Sequence, residues 1–396
     1  MNFYRRRKVV GMGEPHAIVV GAGIGGLAAA VALHRRHWRV TVLERAAEPR
    51  ELGAGLTLMA NALRGLDALG VGDAVRRHGT PDSPGGLRTS DGRWLSRIEG
   101  AELERALGTA ALGIHRTALH RLLRAALPAS ALVTGAEVVD VDPDLPAVTY
   151  RRDGAPATLR ADLVVGADGL RSVLRRQLWP DLPAPAYSGS TAWRAAIRWT
   201  APVSMAVTWG PGREFGTVPL GDGGLYWYAA ETTPPGGREP DELAAVRARF
   251  GGWHEPIPAL LAATPPEAVL RTDLFHLATP LPSYVRGRVA LVGDAAHAMT
   301  PHLGQGAGQA IEDAVVLGAA CAGGPADLAG ALAGYDRQRR PRSQAVARAS
   351  ARTARFGQQL RHPAAVALRD GLLRLTPSRA ALRGMARYAD WQPPRG

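Results

Sequence analysis

Cysteine is nearly missing from this sequence: Cys321 is the only one in 396 residues. That excludes an intramolecular disulfide and any multi-cysteine metal or iron–sulfur site. Lysine is as scarce, with Lys8 alone, so arginine supplies the positive charge elsewhere. No unbroken apolar run approaches the ~20 residues that cross a bilayer. The basic residues Arg5 to Lys8 are followed only by Val9 and Val10 before Gly11, too little for the apolar core of a signal peptide. A cytoplasmic protein with no membrane span is therefore expected. Residues 1–11 read as a disordered or mis-assigned leader, with Met12 as an alternative start.

The net charge of +13 suggests a nucleic-acid partner, but its distribution argues against one. Residues 1–11 carry +4 and residues 330–396 carry +11, which leaves −2 for everything between. The excess is peripheral, and no nucleic acid is expected to bind. Hydrophobic residues at 46% and charged residues at 21% are ordinary for a globular chain. At ~150 residues per domain, two or three units are expected.

His16–Val20 is a short apolar run ending in Gly21-Ala22-Gly23-Ile24-Gly25-Gly26 and the alanine-rich Leu27–His34. The pattern predicts strand, glycine turn and helix, followed by a second strand at Arg39–Glu44 and a right-handed parallel crossover. Asp91-Gly92 predicts a hairpin across 86–97. A helix is expected from Arg116 to Leu127, and strands at 137–142, 147–150 and 159–168. Between 187 and 284, five tryptophans and turns such as Gly210-Pro211-Gly212 predict a mostly β insertion. From Arg288 the α/β texture returns.

Gly21, Gly23 and Gly26 satisfy G-x-G-x-x-G. The first glycine permits the tight turn, the second lets backbone approach a pyrophosphate, and the third lets helix and strand pack closely. Glu44, eighteen residues after Gly26, ends the second strand where an acid can accept from ribose hydroxyls. This leaves open whether the dinucleotide is NAD or FAD. Asp168-Gly169 and Gly293-Asp294 are each, taken alone, compatible with a plain strand end and helix cap.

Taken together, GAGIGG at 21–26, GIHRTALHRLL at 113–123, DGLRSVLR at 168–175 and GDAAHAMTPHLGQGAGQAIEDA at 293–314 resemble the FAD-dependent aromatic-ring monooxygenases, the salicylate and para-hydroxybenzoate hydroxylase class. The resemblance runs from about 16 to 390. It implies an α/β fold: a Rossmann-like FAD-binding domain (12–80, 101–186 and 285–335), an inserted β-rich substrate domain (187–284, with the hairpin 81–100), and C-terminal helices (336–396). It implies that Gly21, Gly23, Gly25, Gly26, Glu44 and Arg45 hold the ADP half of FAD. Arg116 would contact the cofactor, and Asp168 and Gly169 match the motif tied to the pyrophosphate and reduced nicotinamide. Asp294 would meet the ribityl chain. Pro301, Gly304, Gln305, Gly306 and Ala307 would pass beneath the flavin ring. The sequence departs from the usual wording at Ala298, His302 and Gly308.

The implied reaction reduces FAD with NADH or NADPH, forms a flavin C4a-hydroperoxide with O₂, and hydroxylates or epoxidises an aromatic or polyketide-like small molecule. Catalytic candidates are His302, Arg194 and Tyr226; Phe215 and Trp227 are candidates to line the substrate floor, with core packing the favoured reading for both, since aromatic strand positions usually pack. No metal is expected, and a monomer or homodimer is. The halogenase reading lacks its Trp-x-Trp-x-Ile-Pro signature and catalytic lysine. A prenyl-chain reductase, an NAD-dependent dehydrogenase and a basic binder using 337–355 are the remaining alternatives.

Overall fold

A computed structural model describes residues 14–48, 55–81, 85–98 and 100–394. The expected leader, 1–11, lies outside them. One six-stranded sheet runs in the order Val285–Arg286, Val289–Leu291, Leu163–Gly166, His16–Val20, Arg39–Glu44, Leu132–Thr134. All its pairs are parallel except the edge hairpin 285–291. Strands covered on both faces should read as continuous apolar runs, and Ala17 to Val20 and Leu163 to Val165 are buried throughout. The helix Ile24–His34 shows no apolar stripe because it is buried nearly all round, with Ala28, Ala29 and Ala30 inaccessible to solvent. It packs between this sheet and the helix Gly306–Ala320; a methyl at Gly318 would lie 2.7 Å from the Ala32 side chain.

The second sheet has seven strands, ordered Leu270–His276, Ala186–Arg198, Gly224–Thr232, Arg213–Leu220, Ala206–Gly210, Gly85–Thr89, Trp94–Ile98. It is antiparallel except where 206–209 pairs parallel with 86–89. The early hairpin 85–98 thus completes a sheet made mostly from residues 186–276. Side chains alternate across it. Trp193, Ala195, Ile197, Phe215, Leu225, Trp227 and Ala229 form an outer core under the helices Glu242–Phe250 and Ile257–Ala262. Two of the tryptophan N–H groups buried there are satisfied: Trp227 donates to Thr264 Oγ1 at 2.9 Å and Trp193 to Glu242 Oε2 at 2.7 Å.

A small sheet of Gly55–Leu58, Leu112–His115 and Thr80–Pro81 bridges the two large ones. Gly55 abuts Tyr226, and Gly113 abuts the Pro219 carbonyl. The expected strand 159–168 is two: Ala155–Arg160 belongs to a three-stranded meander with 137–142 and 147–152, and Leu163–Gly166 enters the first sheet. The break falls at Ala161-Asp162, where Asp162 turns its carboxylate onto the His16 amide at 2.9 Å.

The C-terminal part is helical: Leu328–Phe356, Pro363–Leu375 and Ser378–Ala389. The stretch Gly306–Phe356 contains an 18-residue window of mean hydropathy 1.5, long and apolar enough by composition to cross a membrane. In this fold its first part is a core helix, with residues 308–318 buried. Glu312 and Asp313, also in it, are wholly inaccessible and paired with arginine.

Candidate active site

The three glycine-bearing segments meet at one point. Gly21 has φ +102° and sits against the Ala167 carbonyl; a methyl there would lie 2.5 Å from its oxygen. A methyl at Gly26 would lie 1.9 Å from the Gly21 oxygen and 3.1 Å from the Ala167 side chain. One at Gly25 would lie 3.2 Å from Ala310 and 3.9 Å from the Gly293 Cα. Gly21 and Gly26 are therefore bound by packing. Gly23, Gly169, Gly304 and Gly306 differ: a methyl on any of them meets nothing within 4 Å. They line open space, as a backbone cradle for a bulky ligand must.

The turn is tethered from both sides. The Gly21 amide donates to the Leu43 carbonyl at 2.8 Å, and His120 Nε2 reaches the Ala22 carbonyl at 2.8 Å. Glu44 accepts from the Ala22 amide at 2.8 Å and from the Ala46 amide at 2.9 Å. Its carboxylate is fixed at the mouth of the cradle, with lone pairs to spare for a further donor. Arg45 next to it is exposed.

Asp168 does cap a helix. Its Oδ2 accepts from the Val173 and Leu174 amides at 2.6 and 3.2 Å, at the start of Val173–Leu178. Its Oδ1 is buried and unpartnered. Gly169, at φ +77°, turns the chain after it. Arg175, almost fully buried, bridges this loop to the other acid: it donates to the carbonyls of Leu170, Asp294 (3.4 Å) and Ala295 (2.9 Å). Burial lowers its pKa, while Asp168 and Asp294 oppose that fall. Asp294 is exposed at the start of the short helix Asp294–His297. Arg175 and His120 escaped notice in the sequence, although both lie within the motif segments. The available signal was an arginine on the buried side of a short helix.

Pro301–Leu303 is a single tight turn, ended by Gly304 at φ +61°. Both ring nitrogens of His302 are buried with no partner. Gln305 is inward: Asn61 Nδ2 donates to its Oε1 at 2.8 Å. Gly306 and Ala307 open the helix Gly306–Ala320, which has no side-chain cap, so its first amides lack an intrahelical acceptor and make an anion-favouring end. Behind it lies a buried charged network. Asp313 accepts from the Gly293 amide (2.9 Å), His297 Nε2 (2.5 Å) and Arg339 Nε (2.7 Å). Glu312 pairs with Arg339 and with Arg342 Nε at 2.6 Å. The network ties the Gly293-Asp294 corner and the 301–306 loop to the C-terminal helix.

On the inner face of the second sheet stand Arg194, Tyr226 and Tyr228. Arg194 Nη2 donates to Thr272 Oγ1 at 3.0 Å, and its Nε is buried without a partner. Burial holds the Tyr226 phenol above its usual range; Arg194, and less strongly Arg116, pull it back down. Arg116 itself is exposed, at the first position of Arg116–Ala125. Phe215 and Trp227 are in the outer core, stacked at 5.5 Å, as the packing reading of aromatic strand positions expects. Alternation explains it: with Tyr226 facing inward, Trp227 must face out.

Known proteins show the family. Residues 14–350 match the FAD binding domain family. The chain is 40% identical over 345 residues to the aurachin C monooxygenase/isomerase of Stigmatella aurantiaca, covering 86% of this chain and 89% of that one. It is 34% identical over 379 residues to the 2-heptyl-3-hydroxy-4(1H)-quinolone synthase of Pseudomonas aeruginosa, covering 92% and 95%. Among solved structures, Klebsiella pneumoniae HpxO complexed with FAD and uric acid superposes with a TM-score of 0.87 at 28% identity, over 95% of this chain and 96% of that one. The open glycine cradle, the unpartnered carboxylate oxygen beside it and the uncapped helix end suit a dinucleotide, and the chain belongs to the FAD-binding domain family as an FAD-dependent monooxygenase of the aromatic-hydroxylase type.

Proposed function

We propose that the chain hydroxylates or epoxidises a small aromatic or heteroaromatic ring in the cytoplasm, using O₂ and electrons from NADH or NADPH. The observation that carries this is the convergence of Gly21–Gly26, Asp168-Gly169 and Gly293-Asp294 on one open cradle, with Arg194 and Tyr226 on the sheet face beyond it. In this reading the part built on the first sheet holds FAD and the second sheet, hairpin 85–98 included, is the substrate floor. The quinolone synthase it resembles and the HpxO structure that holds uric acid support that substrate class.

FAD, when bound, supplies electron transfer from the nicotinamide and delivery of one oxygen atom from O₂. The chain's residues do the rest. Gly23 admits the pyrophosphate, Glu44 with Arg45 takes the adenosine end, and Asp294 accepts from the ribityl hydroxyls. Asp168 holds its loop closed by capping Val173 and offers Oδ1 to a donor. The amides at 304–307 stabilise negative charge on the ring system. Arg116 and Arg194 present positive charge to the reacting side, and the Tyr226 hydroxyl, protonated at neutral pH, orients a polar substituent of the substrate. His302, with both nitrogens unpartnered, is the imidazole this reading assigns to proton exchange with a bound ring.

Two outcomes follow. Gly23 has φ −68°, open to any residue, and its Cβ direction is empty. Gly23→Leu should therefore keep the wild-type melting temperature of the apoprotein while lowering FAD affinity about 100-fold, because the side chain occupies the pyrophosphate's place. Titration of apoprotein with FAD checks it; unchanged affinity would remove Gly23 from the site. Arg194→Gln should retain FAD and lower hydroxylated product per nicotinamide consumed by about 10–100-fold, as expected for loss of a charged group acting on the reacting atoms. A variant that stays fully coupled would place Arg194 outside the site.

A further inference from the structure

A cavity of about 350 Å³ lies against the segment Ala296-His297-Ala298, between the Asp294 corner and the 301–306 loop. Its floor is apolar, from Leu277, Ala278, Pro280, Ala347 and Ala351. Its rim is cationic. Arg348, Arg352 and Arg355 project from successive turns of the helix Leu328–Phe356, at i, i+4 and i+7, onto one face. No carboxylate among the described residues comes within salt-bridge distance of any of the three; Arg352 and Arg355 touch only backbone carbonyls of their own helix, at 3.4 Å. Across the cavity stands His276, whose Nδ1 is buried without a partner. Burial, and then the nearby Arg355, lower its pKa, so it is neutral and can both donate and accept. The wall is fixed in place: Thr300 and Ser350 hydroxyls meet at 2.9 Å, and Ser350 donates to the Thr300 carbonyl at 2.6 Å.

Three unpaired guanidiniums over an apolar floor select a ligand with a flat apolar body and at least two negative charges. The sequence has one glycine phosphate cradle, and FAD takes it, so the phosphates of a second dinucleotide must be met by other groups. We propose that this cavity takes the adenosine-phosphate half of the reduced nicotinamide dinucleotide, with Arg348, Arg352 and Arg355 on its phosphates and the purine on the apolar floor. The inference rests on the reading that NADH or NADPH is the reductant. It places the reductant on the flank of the segment that joins Asp294 to the flavin loop.

The test uses the holoenzyme, with flavin reduction followed by loss of its visible absorbance. The double variant Arg352→Gln/Arg355→Gln should raise the KM for NADPH by about tenfold or more, while FAD content, melting temperature and the limiting reduction rate stay at wild-type values. Adenosine 2′,5′-bisphosphate should compete with NADPH in the wild type and lose potency by a similar factor in the variant. A KM that rises for NADPH and NADH alike assigns the arginines to the pyrophosphate; a rise for NADPH alone assigns them to the 2′-phosphate. Arg374→Gln, exposed on another helix, controls for the chain's general positive charge. A double variant within twofold of wild type, or one matched by Arg374→Gln, overturns the site. Wild-type FAD reduced by neither nucleotide would instead overturn the reductant and the site together, before any variant is compared.

Discussion

Replacing Arg339 by alanine should lower folding stability by about 3–5 kcal/mol. Arg339 is inaccessible to solvent and meets Glu312, Asp313 and the side chain of Gln309, the last at 2.8 Å. Without it two carboxylates remain buried, and only Glu312 keeps a second guanidinium, Arg342. Burial alone would push the Asp313 carboxyl up; His297, Arg339 and the Gly293 amide outweigh it and hold the group at about 2, against an ordinary 3.8. A carboxyl depressed on folding contributes stability that is present above the ordinary value and lost as pH falls toward about 2. The difference between wild type and Arg339→Ala should therefore be full at neutral pH and shrink between about pH 4 and pH 2. Denaturant melts at several pH values check this. The same variant should weaken FAD binding, because Asp313 also holds the Gly293 amide beside Asp294. Equal stability of the two proteins at pH 7 would refute the network's role.

Gly26→Ala should be as damaging, by a different route. Its methyl would sit 1.9 Å from the Gly21 oxygen, backbone that is itself pinned against Ala167. Neither neighbour can yield without shifting the first helix off the sheet, at a cost of about 3 kcal/mol or more. The expected result is a chain that accumulates poorly and melts well below wild type with or without FAD. Gly23→Leu, by contrast, should be stable and unable to hold FAD. That contrast separates the glycine required by packing from the glycine that faces the ligand. Equal melting temperatures for Gly26→Ala and wild type would contradict the close approach.

How much of this was legible in the sequence depended on the distance between partners. The glycine turn, the Asp168-Gly169 corner and the Gly293–Gly306 segment are local patterns, and each announced its strand–turn–helix setting. The hairpin at Asp91-Gly92 was equally local, with Gly92 at φ +89° as its turn type requires. Arg175 with Asp294, Asn61 with Gln305 and Arg339 with Asp313 are separated by 119, 244 and 26 residues. No spacing rule joins such pairs; only the fold does. Phe215 and Trp227, candidates for the substrate floor but favoured as core, show a different limit. Residue type alone does not choose a sheet face, whereas the period of two, anchored on Tyr226, does. Charge distribution alone set the arginine-rich tail apart from a nucleic-acid reading, yet three of its members line a cavity that charge counting does not reveal.

The most direct test of the monooxygenase account is the fate of O₂. Purified protein should be yellow with bound FAD, and a panel of aromatic compounds should contain one that accelerates NAD(P)H oxidation. With that compound and ¹⁸O₂, the product should carry one ¹⁸O atom, none should come from labelled water, and product should match nicotinamide consumed once peroxide is subtracted. A substrate turned over with no oxygen uptake, or a product whose new oxygen comes from water, would contradict the account.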